Sequence, residues 1–258
     1  GTLYRNRFSD MELDFSRHVE KNYPNWIAQK DENAPLMSHN YLQRVVAPQI
    51  ESSSEVVMMV IDCMRYDQWL TMARVVEKWF HVETDFMLTM LPSATPYSRN
   101  AIFAGLLPRD IWRFYRHMWS EAYGSPGLNK HEQFFLTEAL KRLGCGRNIE
   151  PDYVKVSNRR EGETLLHQLS RHLKKGFLAI IVNYIDHLTH GRSELDLIRD
   201  LAPDVESFRR LAETWFRSSF LKELFHTLAA RGATIVVTSD HGSVFTDRET
   251  RIKGRSVA

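Results

Sequence analysis

The sequence predicts an α/β fold: a mostly parallel sheet flanked by helices and preceded by a short helical linker. Three observations carry this expectation. Residues 55–61 (EVVMMVI), 176–185 (GFLAIIVNYI) and 234–238 (TIVVT) are short, nearly continuous apolar runs rich in β-branched residues. Runs of that kind suit strands covered on both faces, as parallel strands are. Between them lie segments with apolar residues at helical spacing, and strands alternating with helices argue for a parallel sheet.

Taken in order, residues 9–30 read as an amphipathic helix. Met11, Phe15, Val19 and Tyr23 lie on one face, and Pro24 is expected to bend or end it. A second helix over 38–46 stops at Pro48. These pieces carry no chemical motif, so residues 1–52 are read as a connector and 53–258 as the catalytic body. The first core strand ends in Asp62, and a helix follows to about Trp79. Residues 82–90 are expected to form another strand. The loop 91–99 (LPSATPYSR) leads into a helix with Pro96 at its first position and Thr95 as a natural N-cap. The same geometry places a hydroxyl where helix N–H groups favour an anion. Residues 110–123 read as one aromatic helix that packs deeply, 129–143 as a helix closed by Gly144, 153–156 as a strand and 161–174 as a helix. Residues 203–230 read as one long helix or two.

Composition narrows the function. The chain has 258 residues, 43% hydrophobic and 26% charged, which is ordinary for a soluble globular protein. A formal charge of +2 is too small to argue for nucleic-acid binding by bulk electrostatics. The two cysteines, Cys63 and Cys145, do not suggest a disulfide framework and fit a reducing, cytoplasmic compartment. No apolar run approaches the roughly 20 residues of a membrane span. Both ends read as cuts from something longer.

Chemistry is concentrated at the strand ends. Asp62, Asp186 and Asp240 each close an apolar run, and two travel with histidine: Asp186 with His190, Asp240 with His241. In a parallel sheet all carboxyl ends lie on one side, where open α/β sheets place their ligand sites. Three converging carboxylates would repel unless cations neutralise them. Asp with His suits zinc, with manganese as second choice. Gly242 is read as letting the backbone turn or approach a ligand. The competing reading makes each Asp the N-cap of the helix that follows.

Strand-Asp62, a loop hydroxyl at Thr95, Asp186-x-x-x-His190 and Asp240-His241-Gly242, in that order, resemble the alkaline phosphatase superfamily. The wording of VVMMVIDCMRYDQW, LPSATPYSRNAIFAG, NYIDHLTH and VVTSDHGSVF resembles the PglZ domain, nearest to the effector of PorX-type response regulators of type IX secretion. The resemblance covers residue 55 to the C-terminus and implies an alkaline-phosphatase-like fold. It implies one metal held by Asp62, Thr95, Asp240 and His241. A second metal would be held by Asp186, His190 and a family histidine near the C-terminus. No histidine follows His241 here, so the second site is expected to be incomplete and the domain to continue past residue 258.

Thr95 would attack phosphorus and be phosphorylated, and water would then release it. Arg99, one helical turn on, is read as a phosphate holder or as a solvated helix residue; Arg65 and Asn100 are weaker candidates. The implied activity is a two-zinc phosphodiesterase acting on oligonucleotides or cyclic oligonucleotides. The basic residues Arg248, Arg251, Lys253 and Arg255 would track a backbone or form a solvated end. The implied partners are an upstream receiver domain and a sensor kinase, with a homodimer expected on receiver phosphorylation. The alternatives are a non-catalytic, metal-stabilised module that regulates secretion by protein contact, and a phosphomonoester or sulfate-ester hydrolase.

Overall fold

A computed structural model of the chain describes residues 2–28, 32–120, 129–145 and 151–244. Helix α1 (Thr2–Ile27) comes first. A 3-10 turn (Ser38–Asn40), a π-helical segment (Leu42–Val46) and α2 (Ala47–Ser52) lead to strand β1 (Val56–Ile61). Next come α3 (Tyr66–Val76), α4 (Thr95–Ala104), α5 (Pro108–Phe114), α6 (Arg116–Ser120) and α7 (Glu132–Leu143). Strand β2 (Asp152–Val156), α8 (Arg159–His172) and β3 (Phe177–Val182) follow, then α9 (Tyr184–Glu194), α10 (Asp196–Leu201), α11 (Val205–Ser218), α12 (Phe220–Ala230) and β4 (Thr234–Thr238).

The four strands form one sheet in the order β2-β3-β1-β4, and every pairing is parallel. Val56 stands opposite Phe177 on one side and Thr234 on the other, so β1, β3 and β4 start and end nearly level. The two central strands, β1 and β3, are wholly buried, as their unbroken apolar runs require. Alternation of side chains splits the core in two. Val57, Met59 and Ile61 pack on the face covered by α3, α8, α11 and α12, against Leu165, Phe216 and Leu224. Val56, Met58 and Val60 pack on the other face against Ile102, Phe103 and Leu136 of α4 and α7. Tyr41, Leu42 and Val46 join that second core, so the segment just before β1 is built into the body.

Helix α8 crosses α12 closely at Gly162. A Cβ there would lie 2.3 Å from the Phe220 ring. Gly162→Ala is therefore expected to cost about 1–3 kcal/mol and to lower Tm by several degrees in a thermal melt. An unchanged Tm would show that Phe220 moves aside freely.

Several local expectations are corrected. Residues 82–90 form no strand; a single bridge joins Met37 to Leu88. Both edges of β1 are taken by β3 and β4, and Phe86 is left 67% exposed. Pro24 does not end α1, which runs on to Ile27. The apolar face of α1 is buried only at its far end: Met11 and Phe15 are exposed, while Tyr23 packs beside Met90 and Leu107. The aromatic helix is two pieces, broken at Tyr115 (φ −129°, ψ 40°). Trp119 is buried but Trp112 and Phe114 are exposed. The expected turn at 124–127 and the basic residues Arg248, Arg251, Lys253 and Arg255 lie outside the described residues.

Candidate metal centre

The parallel register brings the ends of β1 and β4 side by side, and each delivers an acid. Asp62 follows Ile61 directly. Cys63 then adopts φ 62°, a left-handed turn uncommon outside glycine, which points its N–H back across the rim. Cys63 N donates to Asp240 Oδ1 at 3.3 Å, and Met64 N donates to Ser239 Oγ at 3.0 Å. Asp240 Oδ1 also accepts from His241 N at 3.0 Å. The loops after β1 and β4 are thus stitched together by the acid itself.

The third contributor is α4. Its first residue is Thr95, with Ala94 as N-cap and Pro96 at the second position. The expectation of Thr95 as N-cap is corrected by one residue, and the shift matters. The hydroxyl is not used to cap its own helix; it lies 2.8 Å from His241 Nε2. Nδ1 of His241 is 3.0 Å from the Gly242 carbonyl, which can only accept, so Nδ1 carries a proton and Nε2 faces the centre.

Each carboxylate has one oxygen anchored and one bare. Asp62 Oδ2 accepts from Arg99 Nη1 at 2.5 Å, and Asp240 Oδ1 is held by the two backbone donors. Asp62 Oδ1 and Asp240 Oδ2 are buried with no hydrogen-bond partner among the described residues. These two oxygens lie 3.6 and 4.0 Å from His241 Nε2. Two buried anionic oxygens without donors are costly, and a cation between them and the imidazole would remove that cost. Asp62, Asp240 and His241 form a group able to hold a metal ion, with their ligand atoms all within 4.8 Å of one another. Asp-Asp-His is a donor set that suits zinc or manganese.

The electrostatics agree. Burial, followed by the Asp62 charge beside it, pushes the Asp240 carboxyl up to about 7. Burial works against charge on His241, but hydrogen bonding to the Cys63 side chain and the pull of Asp240 outweigh it and carry its pKa up to about 9. Without a metal the centre therefore attracts protons, which a cation would displace.

The remaining candidates fall into two groups. Asp186 is not at a strand end. The strand β3 stops at Val182, Asn183 interrupts the run, and Asp186 lies in the first turn of α9. It pairs with His190 across one helical turn at 3.5 Å. Burial, then the charge of Asp62, raises the pKa of Asp186, so it senses the centre. The pair is nevertheless not part of the metal-binding group found among the described residues, and the His190 side chain is 69% exposed.

Arg99 is buried, which overturns its reading as a solvated residue. Arg65 is forked onto Asp67 at 2.5 and 2.8 Å, and Asn100 donates to the Pro96 carbonyl within its own helix. Among the described residues a Cβ on Gly242 would meet Arg65 alone, at an ordinary 3.7 Å, so no protein neighbour there requires glycine.

Glu132 is the residue that sequence reasoning missed. It opens α7 and is fully buried, with Arg99 Nε on Oε1 at 2.6 Å and Lys155 Nζ on Oε2 at 2.9 Å. Asn129 Nδ2 and the Tyr153 hydroxyl also donate to it. Burial and the Glu132 charge raise the Tyr153 pKa, which keeps the phenol a donor. A signal was present: Glu132 occupies the stripe Phe135, Leu136, Ala139, Leu140, where every other position is core.

A parallel α/β sheet with an Asp-Asp-His centre at its carboxyl rim, beside a threonine at a helix start, is the layout of a metal-dependent hydrolase. Residues 41–258 match the family model described as the BREX system PglZ alkaline phosphatase-like domain, and the chain belongs to that family. No curated protein is significantly similar to it. The fold expectation is borne out, and an alkaline-phosphatase-like fold implies use of a divalent metal. No described helix is long and apolar enough to cross a membrane.

Proposed function

We propose that the chain is a zinc-dependent phosphodiesterase domain that cleaves oligonucleotides, including cyclic ones, with Thr95 as nucleophile. One observation carries the reading. The Thr95 hydroxyl stands 2.8 Å from His241 Nε2, next to the bare oxygens of Asp62 and Asp240. Asp62, Asp240 and His241 would hold the cation, with Thr95 Oγ1 beside it. A divalent cation bound there supplies positive charge that eases loss of the threonine proton and offsets charge on the phosphoryl oxygens. Thr95 is fixed by the first turn of α4, whose positive end favours an incoming anion. The bond formed is Oγ1 to phosphorus and the bond broken is to the leaving alkoxide. Water then releases the phosphate from Thr95.

The wording of the four motifs supports the rest of the setting: an upstream receiver domain, a sensor kinase, and a homodimer that acts in control of secretion. Asp186 and His190 are proposed as two ligands of a second metal. A non-catalytic reading is favoured by one fact: that pair stands outside the Asp-Asp-His group.

A substrate panel separates the readings. The chain, loaded with zinc or manganese, is given aryl phosphate monoesters, diesters, sulfate esters, and linear and cyclic oligonucleotides. Cleavage of diesters and oligonucleotides is expected, abolished by a chelator and restored by added metal. Monoester or sulfate turnover alone would move the assignment to that reaction. Bound metal with no turnover of any ester would support the contact module.

A further inference from the structure

We propose that Glu132 is a positioning residue for the metal centre: it holds the Arg99 guanidinium on Asp62 Oδ2, which leaves Asp62 Oδ1 and Asp240 Oδ2 free to bind a cation. The inference rests on the metal-site reading above and deepens it.

Arg99 is a cation already present among the carboxylates. Its Nη1 is 2.5 Å from Asp62 Oδ2 and 3.8 Å from Asp240 Oδ2, one of the bare ligand oxygens. Left to itself, a guanidinium between two buried aspartates would settle across both and cancel the charge that a metal needs. Glu132 opposes this from the far side. It takes Nε at 2.6 Å and supplies the negative charge that balances Arg99 locally. Glu132 is itself fixed by Asn129, Tyr153 and Lys155, which arrive from the segment before α7 and from β2. The guanidinium is thereby clamped with one edge on Glu132 and one nitrogen on Asp62. Asp62 is tethered through Oδ2, with its Oδ1 turned toward His241 Nε2 at 3.6 Å. Outer-sphere groups that orient a ligand carboxylate in this way commonly change metal affinity by about 10–100-fold when removed.

The test is the zinc dissociation constant of the whole chain, measured by competition with a chromogenic chelator. Circular dichroism confirms folding at the temperature used. Glu132→Gln keeps an acceptor for Arg99 Nε but removes the charge. It is expected to weaken zinc binding about 10–100-fold in a chain that is still folded. Tyr153→Phe removes one support of Glu132 and is expected to weaken binding by about 3-fold, being one neutral hydrogen bond among several.

Because Glu132 acts through Arg99, adding Glu132→Gln to Arg99→Gln is expected to change affinity by less than about 2-fold. The proposal is overturned if folded Glu132→Gln binds zinc within about 2-fold of the parent. It is also overturned if the Glu132→Gln effect is undiminished in the Arg99→Gln chain. Should Glu132→Gln fail to fold, unchanged affinity in Tyr153→Phe overturns it. Failure of the underlying reading looks different: the parent binds no zinc, or Asp240→Asn binds it as tightly as the parent.

Discussion

Thr95→Val is expected to lower metal-dependent phosphodiester cleavage by about 1,000-fold or more, the scale on which loss of a nucleophile acts. Valine matches threonine in shape, so the first turn of α4 and its packing should survive. Only the hydroxyl and its 2.8 Å hydrogen bond to His241 are removed. With the His241 pKa raised to about 9, that bond meets a charged imidazole below that pH, so the stability cost to the metal-free fold should be about 1.5–3 kcal/mol. Asp62, Asp240 and His241 remain, so metal should still bind. The measurement is kcat with metal content and thermal melting taken on the same samples. Cleavage within about tenfold of the parent, with metal bound, would remove Thr95 from the nucleophile role.

Asp240→Asn is expected to abolish metal binding and at the same time to stabilise the metal-free fold above neutral pH. The Asp240 carboxyl is raised to about 7 by burial and by Asp62, so the folded chain holds that proton more tightly than the unfolded one. The metal-free protein therefore loses stability as pH rises from about 4, the ordinary carboxylate value, through about 7. His241 acts in the same direction over a higher window. With its pKa at about 9, its contribution is complete below about 6.5 and is lost as pH rises through 9.

Metal-free parent protein should accordingly melt at a lower temperature at pH 9 than at pH 5. Asparagine cannot ionise, keeps an acceptor for Cys63 N and His241 N, and removes the acid-side part of the slope. Its Tm is expected to exceed that of the metal-free parent at pH 8. Zinc at about 100 times Kd should stabilise the parent by about 2.7 kcal/mol and leave Asp240→Asn unmoved. A melt of Asp240→Asn that still responds to zinc would place the metal elsewhere.

Much of the centre was legible in the sequence, because parallel strands sum their ends on one rim. Asp62 follows β1 directly and Asp240 follows β4 after Ser239 alone, so little chain intervenes to move them. Thr95 was legible to within one residue. Its role is clearer in three dimensions, since the shift from N-cap to first helical residue frees the hydroxyl. Asp186 was misread because Asn183-Tyr184-Ile185 prolongs an apolar run whose ladder ends at Val182. The false strand at 82–90 had β-type residues, but both edges of its chain neighbour β1 are taken by β3 and β4, and only the Met37–Leu88 bridge forms. Arg99 and Glu132 show the limit of reading charge along the chain. Arg99, one turn into α4, read equally as a phosphate holder or a solvated residue, and Glu132, at the start of α7, carried only the faint signal of an acid on an apolar stripe. Their meaning comes from meeting each other, 33 residues apart, inside the protein.

The most direct test of the metal centre is a crystal structure grown with zinc, with anomalous data collected on both sides of the zinc absorption edge. A peak is expected between Asp62 Oδ1, Asp240 Oδ2 and His241 Nε2, with Thr95 Oγ1 at its side. A zinc-loaded crystal with no peak among these atoms, or with Arg99 filling the space between the two aspartates, would contradict the account.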